Sequence, residues 1–327
     1  MPLKVLGAAS VQWIGRQAEH VAERLRRAGL PPVGPAVRPR LAALLLLVAL
    51  LIVVASVIRA QPDGAALPPL ADGELELRAL DVGQGDALLI RLDGATMLVD
   101  AGPDPQTAGA AIVPQLRRLG VERLDYLVLT HADGDHIGGA PTVMREFAVG
   151  AVVHADANLS HPVMREVIDL AVDAGVPVKE VKRGDALAWH PRVDLSVLNP
   201  PEPGPDDDND RSVVLHLAYR TSSMLLTGDI EASTEGELAA SGVMSPVDVL
   251  KVPHHGSNSS STAAFLDAVD PQIAVVSAGW YNAFDHPRDG ALRRLRERGA
   301  AVFRTDLAGN VMVRTDGRVI QVFLERA

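Results

Sequence analysis

The sequence predicts an α/β fold in which two mixed sheets pack face to face with helices outside, a four-layer αββα sandwich, preceded by one transmembrane helix. Three observations carry that expectation. Strand-like runs before residue 100 follow one another as a meander, whereas later runs alternate with helical stretches. Hydrophobic residues make up 47% of the 327-residue chain and aromatic ones only 3%, so the core must be built from Val, Leu, Ala and Ile. Metal-binding side chains also stand where apolar runs end, at Asp100, His131–His136, Asp229 and His254-His255. A strand running into a tight turn throws its last polar side chains to one end of a sheet, where several can converge.

Residues 1–40 hold seven basic residues (Lys4, Arg16, Arg24, Arg26, Arg27, Arg38, Arg40) against two acids, Glu19 and Glu23. Within them, Val11, Ile14, Val21 and Leu25 share one side of a helical pattern whose other side is arginine-rich, suited to the inner membrane surface. Residues 41–59 read as the transmembrane helix, because the 18 residues from Leu41 to Ile58 are uncharged and bounded by Arg40 and Arg59. Such a helix rises about 27 Å, close to the thickness of a bilayer's hydrocarbon core. A cleaved signal peptide has a shorter apolar region nearer the N-terminus, and a buried soluble helix keeps a polar face. The next charges are Asp63, Asp72, Glu74 and Glu76, so the positive-inside bias puts the N-terminus in the cytoplasm. The expectation is a single-pass protein of the cell membrane with its large domain extracytoplasmic. A Pro/Gly/Ala-rich linker occupies 60–73 and the domain 74–327.

Within that domain, strands are expected at 75–82, 86–91, 96–100, 124–130, 151–153, 193–198, 212–219, 223–228, 247–252, 272–277, 301–304, 311–314 and 318–324. Helices are expected at 107–119, 137–147, 161–174, 231–241, 261–268 and 288–299. Pro200 to Asp210 is an acidic, proline-rich loop with no core-forming content. The net charge of −10 argues against a broad nucleic-acid-binding face, yet leaves room for a nuclease whose metal ions supply local positive charge. With no cysteine, any metal must sit on His, carboxylate and water.

His131-Ala132-Asp133-Gly134-Asp135-His136 packs four metal-capable side chains into six residues directly after Leu124–Thr130. The plain alternative is a solvated turn, since Asp and Gly are ordinary turn residues. The recurrence of Asp and His at other strand ends favours a dinuclear metal site instead. Hydrolytic two-metal sites need a bridging carboxylate, terminal ligands on each ion and a water held between them. Asp229, after Leu225-Leu226-Thr227-Gly228, suits the bridge, although a helix N-cap is its structural alternative. In Asp81-Val82-Gly83-Gln84-Gly85-Asp86 the Gly-Lys-Ser/Thr ending of a phosphate loop is missing. That segment reads as a tight hairpin bringing Gln84 and Asp86 near the metal pocket.

His131-x-Asp133-x-Asp135-His136, with Asp100 upstream and Thr227-Gly228-Asp229 downstream, resembles the metallo-β-lactamase superfamily, whose usual turn is His-x-His-x-Asp-His. More narrowly, five motifs in order are similar to the C-terminal domain of the ComEC family of DNA-uptake channel proteins, over about residues 75–325. They are Asp81–Ala87, Thr130–Gly139, Leu225–Asp229, Lys251–Ser257 and His286-Pro287. The resemblance implies one ion on His131, Asp133 and Asp229, and a second on Asp135, His136, Asp229 and one of His254 and His255, with His255 preferred of the two. Asp135 would orient or deprotonate the attacking water, and His254 would contact phosphate or act as general acid. Asp100 would brace the His131 turn, and His286 would be a further ligand or an outer group.

This chain departs from the superfamily pattern at three places. Asp133 replaces the second His, a harder ligand that favours Mn²⁺ or Mg²⁺, with Zn²⁺ also accommodated. Asn199 stands where a third His is expected, and Asn209-Asp210-Arg211-Ser212 resembles an Asn-Asn-x-Ser turn with one substitution. His20, His154, His161, His190 and His216 stand outside any constellation. Three functions compete: a membrane-anchored phosphodiesterase or nuclease acting on DNA, single-stranded above all, beside a separate channel subunit; a hydrolase of a small phosphoester or lactone; and a non-catalytic scaffold of a DNA-uptake complex.

Overall fold

The computed structural model of the chain describes residues 58–60, 69–155 and 160–326. In chain order its strands are β1 (Ile58–Ala60), β2 (Leu75–Ala79), β3 (Leu88–Leu92), β4 (Ala95–Val99), β5 (Arg123–Leu124), β6 (Tyr126–Leu129), β7 (Ala148–Val149), β8 (Val152–His154) and β9 (Val178–Glu180). They continue as β10 (Val193–Asn199), β11 (Val214–Tyr219), β12 (Ser222–Leu226), β13 (Val249–Lys251), β14 (Ile273–Val276), β15 (Ala301–Arg304), β16 (Val311–Thr315) and β17 (Ile320–Leu324). One sheet runs β1-β17-β16-β2-β3-β4-β6-β8-β9, a second runs β10-β11-β12-β13-β14-β15, and β5 pairs separately with β7. Both large sheets are mixed: β4, β6, β8 and β9 are parallel, as are β12 to β15, while the remaining pairs are antiparallel except β1 with β17.

The strands are apolar on both faces because each sheet is covered twice. Leu88, Ile90 and Leu92 of β3 face the core between the sheets, while Leu89 turns to the helix side. Across that core, Met224 and Leu226 of β12 point inward and Leu225 outward. Each fully buried Leu or Ile contributes about 1.5–3 kcal/mol. The outer layer on the first sheet comprises α1 (Pro105–Thr107) and α2 (Val113–Arg118), joined by a π-helical turn, then α3 (Gly134–Ile137), α4 (Ala140–Glu146) and α5 (Pro162–Asp173). The second sheet carries α6 (Ala232–Ser241), α7 (Ala263–Val269) and α8 (Asp289–Glu297). A short α9 (Thr305–Ala308) links β15 to β16.

Several elements differ from the expectation. The helix expected at 107–119 starts at Pro105, where Asp104 accepts the Thr107 N–H at 2.8 Å and caps it. The helix expected at 137–147 is two, interrupted at Gly138-Gly139, where the backbone passes so close to the Pro103 and Ala101 carbonyls that a Cβ would lie 1.9 Å from Pro103 O and 2.1 Å from Ala101 O. Strands expected at 75–82 and 86–91 end and begin differently, and Leu80–Ala87 becomes a loop closed by Leu80 N–H to Ala87 O at 2.9 Å. β9 falls outside the expected strands: it is an edge strand of three exposed side chains. Residues 1–57 and 61–68, with the basic segment and most of the expected span, lie outside the described residues. Ile58 and Arg59, the last two residues of that span, belong to β1 rather than to a helix, in parallel register with Val322 and Phe323 of β17. Among the described residues no helix is long and apolar enough to cross a membrane.

Candidate metal centre

Five strands bring the site together. Asp100 follows β4, Thr130 and His131 follow β6, Asp229 follows β12, His254 and His255 follow β13, and Ser277 follows β14. Parallel neighbours end side by side, so their trailing residues meet at one edge of the sandwich.

Three buried imidazoles are held by one nitrogen and left open at the other. His131 Nδ1 lies 3.0 Å from Thr130 Oγ1 and 3.3 Å from Ser212 Oγ, His136 Nδ1 lies 2.8 Å from Asp100 Oδ2, and His255 Nδ1 lies 3.0 Å from the Ser277 carbonyl. A carboxylate and a carbonyl only accept, so His136 and His255 carry their proton on Nδ1 and present Nε2. All three Nε2 atoms are buried without a hydrogen-bond partner, as is Asp229 Oδ1. Asp229 Oδ2 stands 3.2 Å from His136 Nε2 and 3.1 Å from His255 Nε2, and Asp135 Oδ2 stands 3.3 Å from His255 Nε2.

These atoms fall into ligand sets, each spanning less than 4.8 Å: His131, His136 and Asp229; Asp135, His136 and His255; Asp86, Asp229 and His255. With a fourth set of Asp86, Asp100 and His136, His136 belongs to three of the four, where the resemblance implied a place on one ion. Asp133 lies outside these tight sets. Its backbone is extended ahead of α3 and its side chain is 50% exposed, with Oδ2 3.6 Å from His131 Nε2. Buried nitrogen lone pairs left open beside carboxylates, in a chain without thiols, form a donor set that fits divalent metal ions of the imidazole- and oxygen-preferring kind.

The electrostatics follow from crowding opposite charges in a dry site. Burial pushes the Asp229 carboxyl up, but His255 and His136 outweigh it and hold Asp229 well below the usual range. Burial likewise raises Asp135, and the contact with His255 and the charge of His136 bring it down to about 2. Burial lowers His136 and His255, yet Asp229 together with Asp100 on the first and Asp135 on the second raises both well above 6.5. The nearby His131, its Nε2 3.6 Å from the carboxylate, keeps Asp133 below the usual range.

The remaining candidates occupy distinct places. His254 Nε2 is 3.9 Å from Asp229, its Nδ1 faces Glu231 Oε1 at 2.9 Å, and it is less buried than His255. Asp86 is buried behind His255, 3.5 Å from its Nδ1, and pairs with the fully buried Lys251 at 2.5 Å. Gln84 accepts the Gly279 N–H at 3.4 Å and thus ties its loop to the loop after β14. His286 is half-buried, sets its ring edge-on 5.4 Å from His254 and is brought down to about 4 by burial and by the two neighbouring histidines. Asn199 is a brace: its amide donates to Asp210 O and Ser212 O at 2.8 Å each.

Sequence reasoning assigned no role to Ser212, Lys251 or Glu231. Ser212 Oγ accepts the Asp229 N–H at 2.9 Å while touching His131, so one hydroxyl positions two ligands. The Asn-Asp-Arg-Ser turn is the signal for Ser212. A lone Lys inside Val249-Leu250-Lys251-Val252 is the signal for a buried ion pair, because strand interiors seldom bury an unpaired charge.

The αββα sandwich with His and Asp converging at one edge defines a metal-site class, and residues 80–280 match the model of the Metallo-beta-lactamase superfamily, to which the chain belongs. Its architecture is shared with the metallo-beta-lactamase fold protein YhfI from Bacillus subtilis, at a TM-score of 0.51 and 10% identity over 74% of this chain and 100% of that one. Within the superfamily the chain is of the ComEC-like kind. It is 34% identical over 267 residues to ComE operon protein 3 of Bacillus subtilis (strain 168), covering 77% of this chain and 34% of that protein. It is 35% identical over 239 residues to Competence protein ComA of Neisseria gonorrhoeae, covering 73% of this chain and 32% of that protein. The chain spans about a third of the length of these curated relatives.

Proposed function

We propose that the chain is a metal-dependent phosphodiesterase that cleaves DNA during competence-type DNA uptake. The observation that carries this reading is the trio of buried, unpaired Nε2 atoms gathered around Asp229. Divalent ions held by His131, His136, His255, Asp135 and Asp229, with Asp133 at the outer side, would lower the pKa of a water and neutralise charge on the phosphoryl oxygens. Asp229 shares one ligand set with His131 and His136 and another with His255, and would serve as a ligand common to both ions. Asp135, partly exposed, orients the attacking water and accepts its proton as the O–P bond forms. His254, partly exposed and beside Glu231, faces the phosphate and delivers a proton to the leaving oxygen as the P–O bond breaks.

The relatives named for competence support DNA as the substrate. In the same reading the apolar run that ends ahead of β1, within 41–57, anchors the chain in the cell membrane with the hydrolase domain outside, working beside a separate channel subunit. Incubating the full chain with single- and double-stranded DNA and with bis-p-nitrophenyl phosphate, under Mn²⁺, Mg²⁺ or Zn²⁺, tests it. Cleavage of DNA, abolished by Asp229→Ala and His131→Ala, is the expected result. Turnover of the small ester alone would move the assignment to a small-molecule esterase, and no turnover of either would leave a scaffold.

A further inference from the structure

The loop between β14 and α8 carries a feature that the metal chemistry does not use. The sequence holds only 3 Trp, 3 Tyr and 5 Phe. Among the described residues the exposed aromatic side chains are Trp280, Tyr281 and Phe284, at 62%, 94% and 55% exposure, all within five positions of one another. An aromatic-poor chain with a large aliphatic interior leaves these three in water. Their cluster lies beside the metal centre rather than elsewhere on the surface: Phe284 stacks on His286 at 5.7 Å and 27°, and His286 lies 5.4 Å from His254 and 6.4 Å from His255. Two ring-to-ring steps thus connect an exposed aromatic face to a buried ligand.

The loop is also rigidly built. The Asn282 amide donates to Gly279 O at 2.8 Å and His286 O at 2.6 Å, and its Oδ1 accepts the N–H groups of Phe284 at 3.2 Å and His286 at 2.9 Å. One side chain therefore uses both ends of its amide to fix the aromatic presentation, which lowers the ordering cost of binding. Trp280 and Tyr281 meet edge to face at 6.1 Å and both stay largely exposed.

Resting on the phosphodiesterase reading, we propose that Trp280, Tyr281 and Phe284 form a stacking platform for unpaired nucleobases next to the phosphodiester being cut, which selects single-stranded DNA. In a duplex both faces of each base are already stacked, so only an unpaired strand can use such a platform. With a net charge of −10 the chain draws little affinity from tracking phosphates, so stacking supplies the larger share and binding depends weakly on salt.

The test is fluorescence anisotropy with the full chain in EDTA, comparing labelled oligothymidylate with an abasic oligomer of equal length and charge. The wild type is expected to prefer the thymidylate, and Trp280→Ala and Phe284→Ala each to cut that preference by about five- to 150-fold, the range measured for one base–aromatic stack. Phe284→Trp should retain it. Equal binding of both oligomers by the wild type, or alanine variants that keep the preference, overturns the proposal and gives the patch to a protein or membrane partner. Cleavage by the metal-loaded chain is scored separately. Preference without cleavage removes the phosphodiesterase reading and keeps the platform, while cleavage without preference does the reverse.

Discussion

Asp100 touches no reacting atom by this geometry, yet replacing it should cost the site its metal. Its carboxylate accepts three hydrogen bonds at 2.8 Å each, from Thr130 N–H, Thr130 Oγ1 and His136 Nδ1. The last one fixes the His136 tautomer, keeping the proton on Nδ1 and the Nε2 lone pair turned to Asp229. Asp100→Asn keeps the volume but puts an amide N–H₂ within reach of Nδ1, which drives the proton to Nε2 and closes the coordinating position. Loss of such a partner lowers metal affinity about 10- to 100-fold, equivalent to roughly 1.4–2.8 kcal/mol. The metal-free protein loses one charge-assisted hydrogen bond, about 1.5–3 kcal/mol. Asp100→Ala strands the buried Thr130 N–H and His136 together and should cost about 3–5 kcal/mol. Calorimetric titration with Mn²⁺ and urea denaturation of the same samples separate the two effects. An Asp100→Asn variant that folds and binds Mn²⁺ with wild-type affinity would refute the tautomer argument.

The metal-free chain should lose stability as pH rises above the ordinary histidine value of 6.5, because His136 and His255 are raised and their contribution is complete below 6.5 and lost through their folded values. Asp135, held at about 2, contributes stability that is complete above 3.8 and lost as pH falls through its folded value. Thermal unfolding in EDTA across pH checks both, and metal-loaded samples should resist the alkaline loss because ions bind neutral imidazole. Lys251→Met leaves Asp86 as an uncompensated buried charge and should cost about 3–5 kcal/mol in urea denaturation, with Asp86→Leu/Lys251→Met recovering part of it. Gly228→Ala places a Cβ 2.7 Å from Ser212 Oγ at φ +53°, and should cost about 1–3 kcal/mol while displacing Asp229, read as weaker Mn²⁺ binding.

Strand ends carrying Asp or His were legible because a ligand-type residue closing an apolar run must sit at a sheet edge, and the structure links Asp100, His131, His136, Asp229 and His255 through His136 and Asp229. Alternation was legible only in part, since strands covered on both faces lose their period. β9 escaped because Val178-Lys179-Glu180 has neither an apolar run nor a buried face, and its pairing is set by β8 alone. The break at Gly138-Gly139 escaped because those glycines serve a close approach to Pro103 and Ala101, contacts with no signature in local sequence. Trp280, Tyr281 and Phe284 drew no assignment from the sequence, because an aromatic residue in a loop carries no local sign of whether the tertiary fold will cover it or leave it in water.

The same crowding that makes the site reactive makes it costly to hold without ions. Asp100, His254 and His255 take φ of 60°, 46° and 51°, a left-handed backbone that costs non-glycine residues about 1–3 kcal/mol each. Local anchors over-determine those angles: Asp100 N–H bonds Val128 O at 2.8 Å, His254 N–H bonds Gly228 O at 3.3 Å, and Arg288 N–H bonds Gly256 O at 2.9 Å. Added to this are the desolvated Nε2 atoms, which forgo water while His136 and His255 crowd on the single Asp229 Oδ2 at 3.2 and 3.1 Å. A divalent ion satisfies those atoms in the folded state and has no such cradle in the unfolded one, so its binding energy returns as folding energy. The strain therefore sits where an ion can offset it, and the sheets behind it, built of aliphatic residues buried on both faces, supply the rigidity that holds the imidazoles in place around Asp229.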